Sequence, residues 1–101
     1  MAATLEHDVF SRHLNTNFRI SLGESNTLEV DLDTVNELQL SPYQERFAIV
    51  FRGPREPSLP QGSYQFEHDE MGEFILFIVP IRQDGEGIYY EACFNRMRKS
   101  D

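Results

Sequence analysis

The residues best equipped for chemistry lie at the end of one predicted strand: Glu67, His68 and Asp69, with Tyr64 two pleats upstream. A histidine with a carboxylate partner can ligate a metal or act as a general acid or base. Adjacent strand residues point to opposite faces, however, so Glu67 and His68 do not converge from their own strand. The plainer reading is that His68 hydrogen-bonds at the strand end and caps the turn. A second grouping, Glu29, Asp31 and Asp33, shares one strand face and could collect a hard cation such as calcium. It lacks the glycine-containing loop that wraps a chain around an ion. A solvated face, or one that meets a partner's arginines, fits better. Cys93 shares a face with Tyr89 and Glu91, and no helix N-terminus or neighbouring base marks it as an activated thiol. The sequence has no G-x-S-x-G elbow, phosphate-cradling glycine loop or metal-spaced His/Cys set.

The remaining candidate is a loop. Arg52 and Arg55 flank the turn Gly53-Pro54, and Pro57 and Pro60 restrict the residues beyond it. Proline fixes φ and glycine permits close approach, so residues 52–61 could present a rigid basic clamp to a carboxylate at little entropic cost. The competing reading is that Arg52 pairs internally, with Glu67 or Glu91, and orders the turn. Gln61 and Gly62 belong to the same loop, where Gly62 is expected to supply a positive φ.

The elements that must position these residues follow from periodicity. Leu5, Val9, Phe10, His13 and Leu14 form one apolar stripe, which predicts a helix over 4–14 with Thr4 as its cap and Asn15 as its stop. Glu6 and Asp8 early and Arg12 late suit the helix dipole. The period then falls to two. Phe18, Ile20 and Leu22 alternate with polar residues, as do Leu28, Val30 and Leu32, giving two half-buried strands. Residues 34–44 are less regular, although Val35, Leu38 and Leu40 could continue the second strand after a bulge. Strands are expected over 46–52, 63–68, 74–82 and 88–95. The run Phe74–Arg82 is apolar on both faces and is therefore placed centrally in the sheet. Met71-Gly72 and Asp84-Gly85-Glu86-Gly87 are hairpin signals. The expected fold is mainly all-β: six antiparallel strands over about 16–95 in a small barrel or two-layer sandwich, with one short N-terminal helix that plugs an end or covers a face, and a basic tail over 96–101.

The chain has 101 residues, room for one domain. Seventeen acidic against nine basic residues give a net charge of −8, too acidic for a general nucleic-acid or anionic-membrane binder. Eight of the nine bases are arginine, which favours planar bidentate contacts. The single cysteine excludes an intramolecular disulfide, and the start lacks the cationic and apolar pattern of a secretory signal. The longest apolar run is too short for a spanning helix. These features point to a reducing cytoplasm, or to a particle assembled there and released by lysis.

The strings FRGP (51–54), LPQGSY (59–64), EH (67–68), a glycine at 72, LFIVP (76–80) and YEACFN (90–95) occur in that order. Together they resemble an uncharacterised bacterial family of single-domain proteins of about this length. Glu70-Met71 in the turn and Cys93, where a small aliphatic residue is common, are slight departures. The resemblance implies no assigned reaction. It implies a genomic neighbourhood beside phage-tail-collar-like proteins, and so a particle or accessory role by association.

The expected function is a non-enzymatic interaction or structural module without cofactor or metal. Its partner is another protein, tail-collar-like by the resemblance, or a second copy, and neither nucleic acid nor membrane. Arg52, Gly53, Pro54, Arg55 and Gln61 would form the contact. The alternative is a small-ligand-binding or hydrolytic barrel, with Tyr64, His68 and Glu91 lining a pocket mouth.

Overall fold

Alternating sequence becomes alternating burial along most of the chain. The computed structural model describes residues 5–97. In chain order the elements are α1 (His7–Arg12), β1 (Asn17–Ser21), β2 (Thr27–Val35), β3 (Gln39–Leu40), β4 (Gln44–Gly53), β5 (Gly62–His68), β6 (Gly72–Asp84) and β7 (Gly87–Met97). All strand pairings are antiparallel, and β2-β1-β5-β6-β7-β4 closes on itself because β2 also pairs with β4. The architecture is a closed six-stranded barrel with one short helix, and not a sandwich. The two-residue β3 lies outside the ring, hydrogen-bonded to the start of β4.

Six strands enclose a narrow space. About eight already leave room only for side chains, so a six-stranded interior must be filled. Here the filling is aromatic. Phe18 meets Phe51 at 5.2 Å between centroids, Phe51 meets Phe66 at 4.9 Å, and Phe66 stacks on Phe74 at 5.9 Å. Ile20, Leu32, Ile49, Ile78 and Tyr90 complete the layer, all fully buried.

Each end of the barrel is stoppered by a segment from outside the ring. At one end α1 inserts Phe10, whose ring lies 5.5 Å from Phe94, 6.1 Å from Phe74 and 6.3 Å from Phe47. At the other, the loop between β4 and β5 inserts Leu59, whose backbone N–H donates to the Tyr90 hydroxyl at 2.9 Å. Tyr64 anchors the same loop by donating to the Pro60 carbonyl at 2.7 Å.

Several expectations are corrected. The helix runs over His7–Arg12 and not 4–14; Thr4 lies outside the described residues, and Leu14, expected on the buried stripe, is exposed. The helix stops at Arg12 with His13 as its C-cap, and not at Asn15, whose φ of +68° belongs to the turn that leads into β1. Residues 34–40 split at a register shift after Leu32 into the end of β2 and the separate β3. Gly62 opens β5 without the positive φ expected of it. That conformation belongs to Gly23, Gly72 and Gly87, and a Cβ at Gly87 would collide with the Gly53 carbonyl oxygen of β4. Strand β7 takes in Arg96 and Met97, which the sequence pattern assigns to the tail, while residues 98–101 lie outside the described range.

The largest correction concerns β6. Only Phe74, Leu76 and Ile78 face the core, whereas Ile75, Phe77 and Ile81 face outward and are exposed. A barrel strand has one inner face whatever its composition, and outside this one nothing among the described elements covers it.

Phe10 alone fills the space among three other rings. Phe10→Ala is therefore expected to cost about 3–5 kcal/mol in urea denaturation, as for a buried aromatic truncation. A loss below about 1 kcal/mol would show that the helix merely leans on the barrel.

Candidate functional site

The side chains singled out by type do not share a site. Strand β5 points Tyr64 and His68 inward at its two ends, four residues or roughly 13 Å apart. Glu91 stands on the outer wall of β7, where its carboxylate accepts from Cys93 Sγ at 3.5 Å. The pocket mouth expected of Tyr64, His68 and Glu91 is thus not assembled.

His68 itself is only 6% exposed and sits where α1 meets the barrel. Its ring packs 4.3 Å from Phe18 and 4.5 Å from His13. The bonding pattern fixes its tautomer. The backbone N–H groups of Glu70 and Met71 approach Nδ1 at 3.1 and 3.2 Å, so that atom is an acceptor and holds no proton. The proton is then on Nε2, which donates to Thr16 Oγ1 at 3.0 Å, while the Thr16 hydroxyl donates onward to the His13 carbonyl at 2.6 Å. Both nitrogens are engaged, and neither offers a lone pair to a metal or a substrate. Burial, and then the neighbouring His13, push the His68 pKa below its usual value against the opposing pull of Asp69 and Glu70. A cleft of about 230 Å³ opens beside it, lined in part by His13, Arg19, Asp69 and Glu70.

Glu67 faces the other way, as strand geometry requires, and meets Arg19 of β1. Arg19 Nε lies 3.2 Å from Glu67 Oε1, and its Nη2 lies 2.8 Å from Asp69 Oδ1. The hydrogen bonds that Arg19 donates to these two carboxylates, Glu67 first, raise the guanidinium pKa further. This pair spans the β1–β5 ladder, which consists of only two residue pairs.

The acidic face of β2 holds a cation supplied by the chain itself. Arg52, directly opposite Asp31 across the β2–β4 ladder, lies 3.4 Å from Asp31, 3.5 Å from Asp33 and 3.7 Å from Glu86. The internal partners considered for Arg52, Glu67 and Glu91, are not the ones it uses. Glu29 is exposed and stands opposite Arg19 in the β1–β2 ladder, while the Arg19 guanidinium is turned to Glu67 and Asp69. Among the described residues, no group of three or more His, Cys, Asp or Glu side chains is gathered as a metal site.

The loop after β4 is a lid. Gly53 is buried, where a Cβ would lie 3.0 Å from Val30 Cγ1. Pro54 and Gln61 are exposed. With the Gln83 amide oxygen turned toward it, Arg55 donates from Nε and Nη2 at 3.0 and 3.1 Å, fastening the loop to β6. Cys93 is exposed, but burial and then Glu91 raise its pKa, which disfavours the thiolate.

A family described as a domain of unknown function, DUF6916, matches residues 5–94. The chain belongs to that family. No curated protein and no solved structure matches the DUF6916 chain. Among the described residues, no helix is long and apolar enough to cross a membrane.

Sequence reasoning missed Arg19, His13 and Thr16, because each acts through a neighbour about fifty residues away or through its own backbone. The signals present were the alternation of β1, which placed Arg19 on a wet face, and the helix stripe, which placed His13 on the side that docks.

The buried, neutral His68 makes stability depend on pH. Its folded-state pKa is depressed, so the contribution is intact above the unfolded value near 6.5 and is lost as pH falls from there through the folded value. Chemical denaturation at pH 7.5 and 5.5 should show that loss in the wild type. His68→Asn, whose Oδ1 can replace Nδ1 but cannot take a proton, should be less stable at pH 7.5 by about 1–3 kcal/mol and show a flatter profile. Equal slopes in both proteins would contradict the bonding scheme.

Proposed function

We propose that this DUF6916 chain is a non-enzymatic interaction or structural module, acting in the bacterial cytoplasm as an accessory of a phage-tail-like particle, with a tail-collar-like protein as its partner. One observation carries the first part of this reading. The barrel interior and both of its ends are occupied by the chain's own side chains, and His68, Arg19 and Arg52 are bonded within the chain. What the molecule offers to others is its outer wall. The particle and the partner are supported by the neighbourhood that the sequence resemblance implies.

The hydrolytic alternative has no such support, since Tyr64, His68 and Glu91 lie on different faces and ends of the barrel.

Co-expression with the neighbouring collar-like protein, followed by size-exclusion chromatography, tests the proposal. The expected result is a stoichiometric complex, with the protein also detected by mass spectrometry in purified particles. Separate elution, absence from particles, and a thermal shift with a small metabolite would together overturn it.

A further inference from the structure

The interaction reading leaves open where contact is made, and the outer row of β6 answers it. Resting on that reading, we propose that Ile75, Phe77 and Val79 form the docking surface, and that its occupant is a protein segment presenting an apolar side chain flanked by arginine or lysine.

The row is anomalous for a wet barrel wall. The outward row of β5, one ladder partner of β6, is polar (Ser63, Gln65 and Glu67), as is that of β1 beyond it (Asn17, Arg19 and Ser21), and on the other partner, β7, the row runs from the buried Tyr89 through Glu91 and Cys93 to Asn95. On β6, by contrast, Ile75 is 66% and Phe77 53% exposed. Neither side chain contributes to the core, which is served from the same strand by Phe74, Leu76 and Ile78. Their cross-strand neighbours, Gln65 opposite Ile75 and Ser63 opposite Phe77, leave the apolar surface uncovered. Val79, half-buried, continues the row.

Charge selects the occupant. Glu73 and Glu91 stand at the two ends of the row, Glu91 directly opposite Val79. Among the described residues neither meets a cation. Glu73 accepts only from Gln65 Nε2 at 2.9 Å, and Glu91 only from Cys93 Sγ at 3.5 Å. The nearby arginines are engaged elsewhere: Arg19, Arg52 and Arg96 in ion pairs, Arg82 over the Tyr89 ring at 3.8 Å. An apolar strip between two unpaired carboxylates, on a chain of net charge −8, is complementary to an apolar side chain set between cations. A second copy would bring the same carboxylates to the same strip. The strip is also far smaller than the roughly 800 Å² per partner of a standard stable interface, which suits a short segment anchored by one or two hot-spot contacts.

The loop over 54–61 is the weaker candidate, because contact through Arg52 or Arg55 would first have to displace Asp31, Asp33 or Gln83.

The test uses the full-length protein, isotopically labelled, and two capped synthetic peptides with a leucine–phenylalanine centre, one flanked by arginines and the other by glutamates. The arginine peptide should shift the amide resonances of 73–79 and 91, more weakly as salt rises, and the glutamate peptide should not. Phe77→Asp should weaken binding at least about tenfold with an unchanged melting temperature. Ile75→Thr/Phe77→Thr, which keeps strand-forming residues, guards against misfolding. Glu73→Gln/Glu91→Gln should weaken binding and flatten its salt dependence. Shifts confined to 54–61, equal binding of both peptides, or concentration-dependent dimerisation abolished by Phe77→Asp would each overturn the proposal. A collar-like partner that co-elutes undiminished with Phe77→Asp would overturn this surface while sparing the interaction-module reading.

Discussion

The structure depends on one constraint: a six-stranded barrel is too narrow to be left empty and too short to fill itself from its own strands. Its two ends are open wherever the ladders run out, and water there would reach the aromatic layer of Phe18, Phe51 and Phe66. The chain answers with two inserts from outside the ring, Phe10 from α1 and Leu59 from the loop after β4. This explains why a helix of only six residues is kept, since isolated helices of that length are not stable and this one exists by docking. It also explains why a proline-restricted loop lies where a flexible one would otherwise be tolerated.

Two joints of the ring have the shortest ladders: β1 and β5 share two residue pairs, and β2 and β4, which complete the circle, share four on either side of a register shift. Each joint carries one arginine gripping at least two carboxylates on the opposite side: Arg19 on Glu67 and Asp69, Arg52 on Asp31, Asp33 and Glu86. Exposed ion pairs of this kind contribute little one at a time, about 0–1 kcal/mol. Their value is geometric, because a guanidinium has donors enough to hold several carboxylates in register. They also neutralise part of an acidic surface where strands must approach. Groups that looked available for chemistry are therefore occupied in holding the barrel closed.

Much of the fold was legible in the sequence for a local reason. Alternation in Phe18-Arg19-Ile20 and Leu28-Glu29-Val30 encodes an inner and an outer face without reference to any other strand, and Asp84-Gly85-Glu86-Gly87 encodes its hairpin in four residues. What escaped was non-local. The carboxylates that hold Arg52 come from β2 and the last hairpin, and no spacing rule connects them. Phe10 was recognisable as part of an apolar stripe, but its three aromatic neighbours were not. The outer row of β6 misleads because an uninterrupted apolar run signals burial on both faces only in a sheet covered on both sides. In a barrel the same run leaves one face for something else. The site followed the same division: that Glu67 and His68 diverge was deducible from strand geometry, whereas the capture of both His68 nitrogens by Glu70, Met71 and Thr16 was not.

A filled barrel changes which observations count as evidence of function. A cavity-based search would dwell on the surface clefts, of about 230–490 Å³, none of which reaches the aromatic layer. The outward row Ile75, Phe77 and Val79, which lines none of these clefts, carries the unbalanced apolar and charged groups. The most direct test of the filled interior is a crystal structure of the protein pressurised with xenon, which enters dry apolar voids. A filled barrel should show no xenon among Phe18, Phe51, Phe66 and Tyr90 and none behind Phe10 or Leu59. An ordered xenon atom inside the ring would mean that the barrel holds space for a ligand, and the function would have to be sought there.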